Sequence, residues 1–290
     1  VGGGEVIAFD TRQNGARRDT IGIYRQSNNT FYLKQSNATG FADFAVSFGY
    51  ACGGNTTCNY PVVGDWNGDG IDTIGIYDRT TGVFQLRNSN TSGVPDITLT
   101  LGNPGDTPLA GRWSSDMTAD GVGVYRPTNG ILYLKKSLVT GFSDYYTVMG
   151  NPADIGIAGD WDGDMVDNVG IYRPDEARFY LSYLNGPAGI TYADTAILLG
   201  NVGDVPVTGD WEGLGHSGLG VFRPSTGEIY LKNFISSGYA DKYLIFGNPA
   251  DIPVAGRWTA PLTPPPPSKP NILVGAPAPV NANPPNGNGD

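Results

Sequence analysis

Apolar and polar positions trade places with a period of two in five short runs: "TFYLK" (30–34), "VFQLR" (83–87), "ILYLK" (131–135), "RFYLS" (178–182) and "EIYLK" (228–232). That alternation predicts strands with one buried face. Ahead of each run stands a β-branched stretch: "TIGIYR" (20–25), "TIGIYD" (73–78), "GVGVYR" (121–126), "NVGIYR" (168–173) and "GLGVFR" (218–223). The last four are joined to their runs by "DRTTG", "RPTNG", "RPDEA" and "RPSTG", in which proline pre-sets φ and glycine tolerates positive φ. Each unit then closes on a strand ending in glycine, "SFG", "TLG", "VMG", "LLG" or "IFG", before a connector such as "NPADIPVAG". A G-[DR]-W motif marks the same phase throughout, with Trp66, Trp113, Trp161, Trp211 and Trp258 spaced about 47 to 50 residues apart. Four strands and four turns in such a period predict a β-propeller blade, since a β-solenoid coil is too short.

The expected fold is therefore all-β, a five-bladed β-propeller of four-stranded antiparallel blades, with an extended Pro-rich C-terminal tail. Four blades are complete, at roughly 60–104, 108–152, 155–202 and 205–249. The fifth takes three strands from 20–49 and its first strand from the other end of the chain, so N- and C-terminal strands close the ring. Two segments compete for that slot: "IPVAGRW" (252–258), which carries Trp258, and "EVIAF" (5–9), where Phe9 stands for the tryptophan. The propeller spans 1–258 and the tail 259–290. The glycines inside the β-branched runs (Gly75, Gly123, Gly170, Gly220) are expected to permit close approach of sheets near the axis.

Charge and cysteine content narrow the function. A formal net charge of −10 disfavours nucleic acid and anionic membrane. No apolar run approaches the roughly 20 residues that span a bilayer, and no basic-plus-apolar leader stands at Val1. Cys52 and Cys58 bracket a Gly/Asn/Thr loop, which reads as a local disulfide in an extracellular or cell-surface protein. Sequons at Asn28, Asn37, Asn55 and Asn90 fall in expected loops.

Candidate chemistry concentrates in the loop behind each tryptophan. "DWNGDGIDTIGIY" resembles the FG-GAP/VCBS class of propeller repeats, whose pattern runs D-x-N-G-D-G-x-x-D into a β-strand, and the resemblance spans residues 5–258. It implies a loop between the first two strands of a blade that holds Ca²⁺ through several oxygens on a tightly curved backbone. Carried onto this chain, Asp65, Asn67 and Asp69 supply side-chain oxygens and Ile71 a carbonyl. Thr73 stands where a final acid is expected, and Asp72 beside it is a substitute. "DWDGDMVDN" keeps Asp160, Asp162 and Asp164, with Asn168 at the end. The competing reading is an Asx-type turn whose aspartates cap backbone N–H groups. The other copies have lost most of the pattern. In architecture alone, five blades also resemble the tachylectin-type lectins, which implies sugar sites between blades as an alternative.

Catalysis is not expected. The acids recur in register with the repeat, as structural residues do, and the single histidine, His216, sits inside a repeat turn. Arg25, Arg126, Arg173 and Arg223 are expected to pair with aspartates such as the first acid of "GDW", rather than to form an anion-binding ring. In the tail, the apolar stretch at Asn271, Ile272, Leu273 and Val274 has no local sheet partner. It is expected to add as a strand to a neighbouring copy, giving head-to-tail assembly. The leading expectation is a non-enzymatic structural or adhesive subunit that self-assembles, and the alternative is a glycan-binding module tethered by its tail.

Overall fold

The five β-branched runs become the second strands of five separate sheets. The computed structural model describes residues 18–50, 58–183 and 189–258, all within the compact unit Ala16–Pro261. Blade 2 is β4 (Asn59–Gly64), β5 (Thr73–Asp78), β6 (Val83–Leu86) and β7 (Ile97–Thr100). Blade 3 is β8 (Thr107–Gly111), β9 (Gly121–Arg126), β10 (Ile131–Lys135) and β11 (Tyr145–Val148). Blade 4 is β12 (Ile155–Gly159), β13 (Asn168–Arg173), β14 (Arg178–Leu181) and β16 (Thr195–Leu198). Blade 5 is β17 (Val205–Gly209), β18 (Gly218–Arg223), β19 (Glu228–Lys232) and β20 (Lys242–Ile245). Within the blades every pairing is antiparallel. Among the described residues no helix is long and apolar enough to cross a membrane.

Blade 1 settles which segment closes the ring. Its strands are β1 (Thr20–Arg25), β2 (Thr30–Leu33) and β3 (Phe44–Ser47), and its first strand is β21 (Ile252–Gly256), paired Thr20↔Gly256 through Tyr24↔Ile252. Residues 252–258 take the slot because they carry the whole repeat motif: Trp258 is buried, and the Arg257 backbone is gripped by Asp72 of blade 2. The rival segment 5–9 lies outside the described residues. The first strands β21, β4, β8, β12 and β17 follow one another around the axis and line a central cavity of about 170 Å³.

Burial peaks at the second strand and falls toward the outer edge. All six residues of β5 are buried, whereas β6 alternates and β7 buries one position in four. A second strand has neighbouring blades on both faces, so both its faces stay dry. The core is accordingly five inter-blade layers: Trp66, Tyr77, Phe84 and Leu86 of blade 2, for example, pack on Val122 and Val124 of blade 3. Tyr77 and Phe84 stack at 4.5 Å between centroids, and Tyr24–Phe31 and Tyr172–Phe179 repeat the pair at 4.6 Å. Each fully buried phenylalanine stabilises the fold by about 1.5–3 kcal/mol.

The glycine of each second strand serves its own blade, not the sheet-to-sheet approach expected of it. A Cβ at Gly75 would lie 2.6 Å from Leu86 Cδ2 and 2.9 Å from Val62 Cγ1, the cross-strand neighbours on either side. The glycine makes room for the leucine and valine that fill the layer.

Outer edges are also managed. The Thr100 N–H of β7 donates to Thr140 Oγ1 of blade 3 at 3.0 Å, Leu198 N–H to Ser237 Oγ of blade 5 at 3.2 Å, and Ile245 N–H to Thr39 Oγ1 of blade 1 at 3.0 Å. Blade 4 goes further: β15 (Gly189–Ile190), in its third loop, pairs in parallel with β11 of blade 3. The loop between the third and fourth strands of one blade thus covers the edge of the blade before it.

Candidate binding sites at the blade junctions

The expected metal sites are the first loops of blades 2 and 4, and in the structure the leading acid of each is an internal cap. Asp65 Oδ1 accepts the N–H groups of Gly68 (2.8 Å) and Asp69 (3.0 Å), and Oδ2 accepts that of Gly70 (2.8 Å). Asp69 in turn accepts the Ile71 N–H at 2.8 Å, and Asn67 donates to Asp69 at 3.0 Å. Thr73 lies apart from these groups: it is buried in the ladder, where its hydroxyl donates to Gly64 O. Asp160 repeats the cap toward Gly163, Asp164 and Met165, and Asp210 does so toward Leu214 and Gly215 in a copy that has lost the rest of the pattern. The carboxylates of Asp160, Asp162 and Asp164 come within 4.8 Å of one another, a donor set that fits a hard cation. Asn168 is not with them; it is buried and donates to Tyr183 O at 3.4 Å.

Asp72 is no substitute ligand, because it points to the preceding blade. It accepts the Arg257 N–H at 2.7 Å while its own N–H donates to Arg257 O. Asp120 holds Asp65, Asp167 holds Arg112 and Asp19 holds Asp210 in the same way, with Ser217 on Asp160 as the fifth member. The glycine of G-[DR]-W makes room for both the motif's tryptophan and this clamp: a Cβ at Gly111 would lie 2.9 Å from Trp113 Cζ3 and 2.9 Å from Asp167 Cβ. Desolvation pushes all four carboxyls up, Asp120 and Asp167 to about 7, with the charge of Asp167 adding to Asp120 and that of Asp160 to Asp167.

The arginines pair with aspartates as expected, but with different ones. Arg126 reaches Asp106 through Nε (3.0 Å) and Nη2 (2.9 Å), the acid of the connector rather than of "GDW". Arg25–Asp251, Arg173–Asp154 and Arg223–Asp204 repeat the bidentate pair, each with a nearly inaccessible aspartate. The GDW acid is committed to its own loop, which leaves the connector acid as the partner. Each guanidinium also lies over a tyrosine, at 4.6 Å for Arg126 on Tyr133 and 4.7 Å for Arg223 on Tyr230.

Arg126 and Arg223 form the floor of two pockets between blades. Junction 2/3 holds a cavity of about 400 Å³ lined by Leu101–Asn103 of blade 2 and by Arg126, Tyr133 and Phe142 of blade 3. Junction 4/5 holds its equivalent, about 410 Å³, against Asn201, Arg223, Tyr230 and Tyr239. The third loop supplies one aromatic at the rim of each. Phe142 and Tyr239 are 95% and 96% exposed, as is Phe41 (96%) at junction 5/1. The aromatic is nonetheless held in place. A buried lysine donates to its carbonyl, Lys34 to Phe41 (2.8 Å), Lys135 to Phe142 (2.9 Å) and Lys232 to Tyr239 (3.0 Å). An aspartate two residues beyond the tip ties the loop base, Asp144 accepting the Lys136 N–H at 2.7 Å. The signal was present in "TGFAD", "TGFSD" and "SGYAD", but an aromatic beside a glycine does not announce its exposure.

Of the expected Cys52–Cys58 pair, only Cys58 is described, buried at the start of blade 2. Asn271, Ile272, Leu273 and Val274 lie outside the described residues, as does the sequon asparagine Asn55.

No family model matches the chain, and no curated protein is similar to it. Among solved structures, the crystal structure of BBS1N in complex with ARL6DN, soaked with mercury, is similar at 13% identity, TM-score 0.37, over 66% of this chain and 57% of that one. The same complex soaked with lead is similar at 11% identity, TM-score 0.37, over 65% and 56%. The chain spans little more than half the length of these neighbours.

Proposed function

We propose that this chain is a non-enzymatic β-propeller, kin to the FG-GAP/VCBS repeats, that binds neutral carbohydrate at pockets repeated between its blades outside the cell. The observation that carries the reading is the rim aromatic, standing almost fully in water while a buried lysine fixes its backbone. An apolar ring held rigid at the mouth of a concave site favours a ligand with one apolar face. A sugar ring has such a face, and its hydroxyls match the neutral polar groups beneath. Each floor arginine is neutralised by its aspartate, so the pocket offers directional donors without a net call for an anion. No carboxylate is among the described lining residues of the two pockets.

A glycan array probed with the full chain and with Phe142→Ala tests this reading. Saturable signal on particular glycans, reduced in the variant, supports it; a blank array at high protein concentration sinks it. Self-assembly through 271–274 is the second reading. One observation favours it: among the described residues, β3 is the outer strand that receives no bond from the next blade's third loop, leaving an edge for an added strand. Sedimentation of the full chain over a range of concentrations checks it, and a monomer throughout would remove it.

A further inference from the structure

We propose that three of the five junctions bind ligand, and that Tyr50 and the β15 strap take the other two out of use; this rests on the carbohydrate reading above. Junctions 2/3, 4/5 and 5/1 share one set of parts: asparagine after glycine, an arginine, a tyrosine beneath it, and a rim aromatic pinned by a buried lysine. At 5/1 these are Asn248, Arg25, Tyr32, Phe41 and Lys34, with Arg25 over Tyr32 at 4.8 Å.

Junction 1/2 keeps the pin, with buried Arg87 donating to Val94 O, but changes the floor and the rim side chain. Tyr50 follows Gly49 where the asparagine belongs, and Asp78 stands at the end of β5 where the arginine belongs. The Tyr50 hydroxyl donates to Asp78, so a large side chain now reaches across to a small one and occupies the space. That carboxylate is committed: although burial alone would raise its pKa, hydrogen bonds from Thr80 and Tyr50 hold it at about 2. Asn59 replaces the connector acid, Gln85 replaces the tyrosine, and Val94 replaces the rim aromatic. None of the features that would grip a sugar is left.

Junction 3/4 keeps Asn151, Arg173 and Tyr180 but rebuilds its rim. Ser182 takes the place of the pinning lysine. The loop ahead of Tyr192 instead runs along β11, where the Thr191 N–H donates to Val148 O at 3.0 Å and Thr147 Oγ1 meets Thr191 Oγ1 at 2.7 Å. Glu176 then reaches over the floor, accepting from the Tyr180 hydroxyl at 2.6 Å and from Arg173 at 3.3 Å. Glu228 makes the equivalent contacts at junction 4/5, accepting from Tyr230 at 3.1 Å and from Arg223 at 3.4 Å, so the rebuilt rim and its strap, rather than the floor, set junction 3/4 apart. The three open junctions are unevenly placed, two adjacent and the third set off by an altered junction on each side. Such an arrangement suits a ligand displayed in many copies on a surface, whose engagement gains from multivalency.

Native mass spectrometry of the full chain with the methyl glycosides of glucose, galactose, mannose and N-acetylglucosamine tests the count. The result expected is saturation at three. Phe41→Ala, Phe142→Ala and Tyr239→Ala each lower it by one, and the triple variant binds none. Val94→Ala and Tyr192→Ala, at the other two rims and also exposed, leave it at three. Saturation at five, or a loss on Tyr192→Ala, overturns the valency while leaving sugar binding intact. No uptake by the unsubstituted chain at millimolar glycoside removes the carbohydrate reading and the count together.

Discussion

The first and third loops of a blade begin from similar material and end in opposite states. In blade 2 the first loop turns its most polar side chain inward, and Asp65 satisfies three of the loop's own N–H groups. In blade 3 the third loop is anchored from below by Lys135 and from its base by Asp144, which frees Phe142 to face water. One loop consumes its functional-looking residues to hold its shape. The other is held by residues outside its tip and has a side chain to spare. Conspicuous chemistry in a repeat is thus spent on holding a turn, and the exposed aromatic is the residue to test for binding.

The comparison breaks if substitutions in the two loops have the same consequences. Asp65→Ala should give the largest effect, about 2 kcal/mol lost in chemical denaturation, since several loop amides lose their acceptor at once. Its glycan binding should stay unchanged. Phe142→Ala should do the reverse, weakening binding at its junction about tenfold, roughly 1.4 kcal/mol, with stability moved by less than about 0.5 kcal/mol.

Asp120→Asn and Asp167→Asn sharpen the contrast through pH. Their carboxyls are raised in the folded state, so the protonated form favours folding; this contribution is fully present below the unfolded carboxylate range and lost as pH rises through about 7. An amide keeps the acceptor without the charge. Each variant should therefore melt higher than the parent at pH 8, with the gap narrowing as pH falls and closing only below about 4. A gap independent of pH would discard the clamp explanation. The smallest effect is calcium. Millimolar Ca²⁺ should stabilise by less than about 1 kcal/mol, through Asp160, Asp162 and Asp164 alone, and Asp162→Asn should erase the shift while leaving sugar binding untouched.

Much of the fold was legible because propeller blades repeat local physics. Period-two alternation gave the third strands, proline and glycine gave the turns, and the tryptophan spacing gave the blade count. The closing strand was readable as one of two candidates, and the choice turned on a clamp between Asp72 and Arg257 that no local pattern encodes. The same holds for the site. Arg126 was visible in the repeat, but its partner Asp106 lies 20 residues away, and only the folded blade brings the two together. The rim aromatics hid for a different reason. Sequence patterns weigh aromatics as core, and the opposite fates of Phe142 and Phe84 follow from their places in the blade, one at a loop tip and one in the third strand between neighbouring blades.

The strand β21 also bears on how the molecule is made. Its partner β1 precedes it by more than two hundred residues in the chain, so blade 1 waits unfinished through the synthesis of every other blade. During that time β1 presents an unpaired inner edge, the very surface that another nascent chain's β21 would fit. Translation on crowded polysomes therefore carries a risk of exchange between chains, and dilution or slow refolding should favour closed rings over linked ones. The last strand of the ring to emerge, Ile252–Gly256, decides whether one chain becomes one ring.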